Sequence, residues 1–264
     1  MQMNVIMPSN RLPEQIIHVL ESYKHQSYSD FVISIIIEGE IQSLRDLCEK
    51  LELHNVRLFS VPKGINNASI SRNIGLNNAL DDEIIIFSDD DMLVSPEFIA
   101  SHAEIHKNND YAIVRGLRYQ KDKNGCFYLT AWERDAVKRW NQAKRKDLWA
   151  HFVTSNASVS NRLLKQSGYF DENFVKSGCE DTDLALRLLK VGGKPISNEK
   201  SVNFHLSNDD MQMKFHDRIS NFKYLKSKYP DNSAVKMFVK LTLLAIERNQ
   251  INQIFLRNSE GNLK

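Results

Sequence analysis

Disulfide chemistry has little to work with in this chain. Its three cysteines, Cys48, Cys126 and Cys179, are odd in number, widely spaced and never arranged as Cys-x-x-Cys. That argues against a disulfide framework and against a structural zinc site. A basic leader followed by a long apolar core is also missing: Met1 to Asn10 is a short apolar run broken at Asn4, so no signal peptide is read there. No stretch approaches the roughly 20 apolar residues that span a bilayer, and cytoplasmic residence is the expectation. Internal repeats and low-complexity tracts are absent from the sequence. Neither sign of charge dominates, since 35 Lys+Arg against 33 Asp+Glu leave a net of +2. That balance gives no ground for a nucleic-acid partner.

The charge that is present is unevenly placed. Residues 212–264 hold 10 Lys+Arg and 4 Asp+Glu, while residues 1–211 carry a net of −4. The last fifth therefore reads as a basic helical extension, 208–264, on a mildly acidic body, 1–207. Such an extension is expected to offer a peripheral contact to an anionic membrane face or an acidic acceptor; a solvated helical face explains it equally well.

Short apolar runs alternate with helical patterns from the start. Val5 to Met7, Phe31 to Ile37, Val56 to Val61 and Ile84 to Phe87 read as strands, the second and fourth apolar enough to be covered on both faces. Leu12 to Lys24, Ile41 to Leu53 and Asn67 to Leu80 read as the helices between them, Pro13 suiting a first turn. The alternation predicts an α/β fold with a mixed, mainly parallel sheet flanked by helices. Beyond Pro96 the spacing predicts a helix to Lys107, a strand over Tyr111 to Leu117 and a mixed aromatic stretch over 120–150. It continues with an extended segment from Phe152 to Ser160, helices near 162–167 and 181–191, and a strand over Val202 to His205. Two amphipathic helices, 209–228 and 233–257, close the chain.

Ligands of such sheets bind beyond the carboxyl ends of the strands, which draws the eye to Ile84-Ile85-Ile86-Phe87-Ser88-Asp89-Asp90-Asp91. Three adjacent carboxylates repel one another, and a hard divalent cation such as Mg²⁺ or Mn²⁺ relieves that repulsion. In an extended segment Asp89 and Asp91 would point the same way and Asp90 elsewhere, towards a ribose hydroxyl. A second cluster, Gly178-Cys179-Glu180-Asp181-Thr182-Asp183, opens a helix with three acids. These suit the helix dipole, but their density beside a glycine turn also suits a general base. Arg72, in Ser71-Arg72-Asn73-Ile74-Gly75, is a natural diphosphate partner. His205 ends a strand and would be a metal ligand if the fold carried it to the aspartates.

In this order and spacing, these segments resemble family 2 glycosyltransferases with the GT-A, Rossmann-like fold, from about Asn4 to His205. Val5-Ile6-Met7-Pro8-Ser9-Asn10-Arg11 is similar to the family's opening strand and nucleotide loop. Glu38 in Ile37-Glu38-Gly39-Glu40 stands where the family has an aspartate that meets the base. Asp89 and Asp91 with Pro96 downstream look like its Asp-x-Asp motif. Gly168-Tyr169-Phe170-Asp171-Glu172-Asn173-Phe174 followed by Cys179-Glu180-Asp181-Thr182-Asp183-Leu184 resembles the acceptor half, with a galactosyltransferase-like Glu-Asp segment.

The resemblance implies a nucleotide-sugar half, about 1–118, and an acceptor half, about 119–207. It implies a nucleoside diphosphate sugar donor, UDP-linked in most members, bound through Pro8, Asn10, Arg11, Glu38, Arg72, Asp89 and Asp90. Mn²⁺ or Mg²⁺ would be held by Asp91 and His205, with Asp89 through water. Asp181, with Glu180 as neighbour, would be the base that activates a hydroxyl of a glycan or lipid-linked acceptor for inverting transfer. Trp132, Trp149 and Tyr169 are aromatic candidates for sugar stacking, with core packing the more ordinary role. Residues 207–212 are expected to form a lid. A sugar nucleotidyltransferase would want a glycine-rich loop after the first strand, which Ser9-Asn10-Arg11-Leu12 is not. A non-catalytic nucleotide-sugar or glycan binder remains the other alternative.

Overall fold

The computed structural model describes residues 1–65, 67–142, 147–175, 178–207 and 218–247. Strand and helix alternate strictly through the first third: β1 (Met3–Ser9), α1 (Pro13–Lys24), β2 (Phe31–Glu38), α2 (Gln42–Lys50), β3 (Val56–Val61), α3 (Ala68–Asn77) and β4 (Ile84–Phe87). The four strands pair in parallel, with Val5 beside both Ile33 and Ile86. Successive β1 side chains leave opposite faces of the sheet. Met3, Val5 and Met7 enter a core with α1, α2 and part of a later helix, while Ile6 enters the opposite one beneath α3. Gly75 explains how closely α3 sits: a Cβ there would lie 2.7 Å from Ile6 and 3.0 Å from Ile36. Asn67 starts that helix by accepting hydrogen bonds from the Ser69 and Ile70 amides, as a capping asparagine should.

The second part is β5 (Met92–Val94), α4 (Phe98–His106), β6 (Ala112–Lys121), β7 (Phe127–Tyr128), α5 (Ala131–Trp140), a short 3₁₀ turn (Leu148–His151), β8 (Ala157–Ser160), α6 (Asn161–Ser167), α7 (Glu180–Lys190) and β9 (Lys194–His205). Among the described residues the sheet has nine strands in the order β3-β2-β1-β4-β8-β6-β9-β5, with β7 on β6. The parallel half ends at β4. Strand β8 runs antiparallel to both β4 and β6, and β9 is parallel to β6 but antiparallel to β5.

Two expected lengths change. The strand predicted over Val202 to His205 is twelve residues long, and the mixed stretch 120–150 contains β7, α5 and the 3₁₀ turn. Buried Arg115 holds that region together by donating to the His151 and Gly116 carbonyls and pairing with Glu133 at 3.0 Å.

Two further helices, α8 (Ile219–Lys228) and α9 (Ser233–Glu247), complete the described chain. Phe222, Leu225, Val235, Val239 and Ile246 lie in the same apolar cluster as Trp149, Phe174 and Leu184. The α8–α9 hairpin of the basic C-terminal stretch thus packs on the flank of the sheet that carries Trp149, Phe174 and Leu184. Among the described residues no helix is long and apolar enough to cross a membrane.

Candidate active site

The acids after β4 sit in a turn, closed by the Met92 amide donating to the Asp89 carbonyl at 3.3 Å. This corrects the expectation that Asp89 and Asp91 point the same way. A turn breaks the two-residue alternation of an extended segment, and each carboxylate takes its own direction. Asp89 accepts from Arg72 Nη2 at 3.1 Å. Asp90 turns inward, accepting from Ser9 Oγ at 2.6 Å and Arg11 Nε at 3.2 Å. Asp91 accepts from Ser207 Oγ at 2.6 Å and Arg11 Nη2 at 3.0 Å.

Strand pairing brings His205 to this turn. Met92 lies opposite His205 in the β5–β9 ladder, and His205 Nε2 approaches Asp91 Oδ2 at 3.3 Å. The Gln120 side-chain amide meets His205 Nδ1 from the facing position on β6. It thereby orients the ring so that Nε2 faces the carboxylate, the usual arrangement behind a ligating imidazole. Asp89 does not join this pair, and among the described residues no three His, Cys, Asp or Glu side chains converge as a metal-binding group.

The surroundings set the ionisation of these acids. Burial pushes Asp90 up to about 6, with its two acidic neighbours adding to the rise and Ser9 and Arg11 opposing it. Burial acts the same way on Asp91, but hydrogen bonds from His205 and Ser207 and the charges of His205 and Arg11 outweigh it. They hold Asp91 at about 2.

Arg72 joins this turn to the second acidic cluster. Its side chain is buried; Nη2 reaches Asp89 and Nη1 reaches Glu180 at 3.3 Å. Neighbouring Asn73 donates to the Phe170 carbonyl and to Glu172 Oε1, and accepts from the Phe170 amide. Helix α3 therefore fastens the strand-end acids to the segment that leads into α7. At the start of α7, Glu180 is buried and accepts from the Gly178 amide. Asp181 is partly exposed and accepts from the Thr182 amide at 2.7 Å. Desolvation first, and the negative charge of Glu180 second, raise the Asp181 carboxyl above the ordinary carboxylate range. A carboxyl raised in this way holds a proton more readily than a free one.

The remaining predicted residues are placed as follows. Pro8 is half-buried within β1, paired with Ile36, and Asn10 is exposed just beyond it. Glu38 ends β2 and accepts from the Gly64 amide at 3.1 Å, across the mouth of the β2–β3 loops. Trp149 packs edge-on against Phe238, Trp132 lies over the Arg115 guanidinium, and the Tyr169 hydroxyl donates to Asn161. Of the expected lid only Ser207 is described, and residues 208–212 lie outside the described residues.

Gln120 and Ser207 were not singled out individually by the sequence reading. Gln120 lies past the predicted end of its strand. Its signal is visible only once β6 is extended and aligned with β9.

A family model described as glycosyl transferase family 2 matches residues 4–169. The chain is 24% identical over 278 residues to the uncharacterized glycosyltransferase YfnE of Bacillus subtilis (strain 168), covering 87% of this chain and 71% of that protein. Among solved structures it is similar to the mannosyltransferase PcManGT from Pyrobaculum calidifontis in complex with GDP-Man and Mn²⁺. That match has a TM-score of 0.68 and 13% identity, over 99% of this chain and 76% of that one. It is also similar to S. aureus TarS 1–349 in complex with UDP-GlcNAc, with a TM-score of 0.66 and 13% identity, over 88% of this chain and 68% of that one. The TarS complex with UDP matches with a TM-score of 0.63 and 14% identity over 86% of this chain, which there spans 66% of the relative's length. At these identities the structural likeness establishes the mixed α/β fold.

Proposed function

This chain belongs to glycosyl transferase family 2, and from that membership we propose that it moves a sugar from a nucleoside diphosphate sugar, UDP-linked, to a hydroxyl of a glycan or lipid-linked acceptor, with inversion. The observation that carries this reading is Arg72, one buried guanidinium bonded to both Asp89 and Glu180. It puts the strand-end acids and the turn bearing Asp181 within one side chain of each other, as donor and acceptor must be.

The donor set at Asp91 and His205 fits a hard divalent cation: one carboxylate already ionised and one imidazole oriented by Gln120, leaving positions for diphosphate oxygens and water. Mn²⁺ or Mg²⁺ held there would neutralise charge on the leaving diphosphate. Support for Mn²⁺ comes from the PcManGT complex, and for a UDP-linked donor from the TarS complexes.

The acceptor oxygen attacks the anomeric carbon as the bond to the diphosphate oxygen breaks. The acceptor proton passes to the Asp181 carboxylate. Arg72 keeps Glu180 paired so that the neighbouring base is not displaced. In this reading Glu38, at the β2 end, meets the donor's base, and Pro8 in β1 with Asn10 and Arg11 just beyond it contact the same donor.

The test is transfer and donor hydrolysis against a panel of nucleotide sugars with Mn²⁺. Asp181→Asn should lose transfer by about 10²–10⁴-fold while keeping donor binding; near-normal turnover would remove Asp181 from the mechanism.

For the acceptor side we read the exposed Met237 and Leu241 of α9, flanked by Lys236 and Lys240, as a peripheral contact to an anionic membrane. Met237→Asp with Leu241→Asp should abolish co-sedimentation with phosphatidylglycerol vesicles. Unchanged sedimentation would refute it.

A further inference from the structure

The turn that presents Glu180 and Asp181 is not self-supporting. Gly178 has φ of +113° and Cys179, a side-chain-bearing residue, has φ of +71°. The left-handed region disfavours residues with a Cβ, so Cys179 stores strain that its surroundings must hold. Those surroundings come largely from α8. The buried Asn221 carboxamide donates to the Val175 carbonyl at 2.8 Å and to the Gly178 carbonyl at 2.9 Å, and its oxygen accepts from the Val175 amide at 3.2 Å. The Arg218 side chain fills the space beside Gly178, where an added Cβ would lie 2.5 Å from it. At the far end of the same helix, Lys228 bridges Asp171 and Asp183, and the Tyr229 hydroxyl donates to Asp183 at 2.7 Å. Helix α8 and its flanking residues thus hold the chain on both sides of Asp181, before it at Asp171, Val175 and Gly178 and after it at Asp183.

We propose that Asn221 is a positioning residue for Asp181, with Arg218 as its partner, so that the C-terminal hairpin fixes the placement of the base through the Gly178-Cys179 turn. Asn221 touches no substrate in this role; it acts through the backbone it holds. Arg218 adds a charge effect, since its cation draws the Asp181 carboxyl downward against burial and Glu180. The inference rests on Asp181 being the base.

The test combines hydrogen–deuterium exchange of the ligand-free protein with steady-state transfer kinetics of Asn221→Ala, Asn221→Asp and Arg218→Ala. In Asn221→Ala the amide of Val175 and those of residues 178–182 should lose protection. Its kcat should fall at least tenfold while donor KM stays within about twofold. Asn221→Asp keeps the shape but cannot donate to two carbonyls, and should behave alike; should the alanine variant not fold, this variant decides. Arg218→Ala should shift the acid limb of kcat to higher pH, a change that mere loosening of the fold would not produce. Loosened exchange with unchanged kcat, or lost kcat with unchanged exchange at 175 and 178–182, would overturn the proposal. Asp181→Asn separates the two readings: if it retains turnover, the base assignment fails, whatever the exchange pattern of the Asn221 variants.

Discussion

Replacing Arg72 with methionine removes the guanidinium bonded to both Asp89 and Glu180 while roughly keeping the volume of its stem. Glu180 is then left with a side chain only 6% exposed and no counterion from α3. Breaking a buried pair by removing one partner costs about 3–5 kcal/mol, because the surviving charge stays desolvated. The Asp89 contact adds less than about 1 kcal/mol, since Asp89 is 35% exposed and water replaces the lost bond. The expected loss is therefore about 3–5 kcal/mol, or a fall in Tm of roughly 6–20 °C for a domain of this size. Urea unfolding followed by tryptophan fluorescence measures it, with the slope of the transition checked against wild type. Arg72→Lys serves as the control: a compact ammonium reaches one carboxylate but not both in the planar bidentate manner, and should fall between the two. A loss under about 1 kcal/mol with an unchanged slope would mean that Glu180 does not depend on Arg72, and the coupling of the two clusters would be refuted.

Three more outcomes follow from the same geometry. Asp91→Ala should abolish Mn²⁺-dependent UDP binding in calorimetry, and Gln120→Leu should weaken it about 10–100-fold by freeing the His205 ring; undiminished binding in the first variant would sink the ligand assignment. Glu180→Gln removes the negative neighbour that helps raise Asp181, so the acid limb of kcat should move to lower pH, and an unmoved limb would contradict that cause. Burial alone would raise Asp171, but Lys228, Asn173 and Tyr224 hold it at about 2. Its folded value lies below its unfolded one, so it stabilises the protein above about pH 4, and that contribution is lost as pH falls towards 2. Lys228→Met should flatten the urea midpoint across that window, and a wild-type slope in the variant would refute the linkage.

Much of this is legible in the sequence. The β-branched runs marked β2 and β4 because a strand covered on both faces needs no polar alternation. The clusters at 89–91 and 180–183 were visible as carboxylate densities that local structure did not fully explain. What could not be read was direction. Asp89 and Asp91 part company because the chain turns between them, and no spacing rule reveals a turn closed by Met92 alone. Strand β5 is three residues long, too short to carry a pattern, yet it delivers His205 to Asp91. Gln120, Ser207 and Asn221 are single polar residues whose partners lie 43 to 196 positions away. Their meaning arises only in the folded chain.

The packing of α8 and α9 onto the flank around Trp149 and Phe174 has a consequence for how the protein comes into being. Translation proceeds from the N-terminus at about 5–20 residues per second. The sheet through β9 is thus complete several seconds before the helices that cover Trp149 and Phe174 have been made. During that interval the nascent chain carries a finished sheet and an uncovered apolar flank. Such transiently exposed apolar surface is prone to aggregation until α8 and α9 close over it.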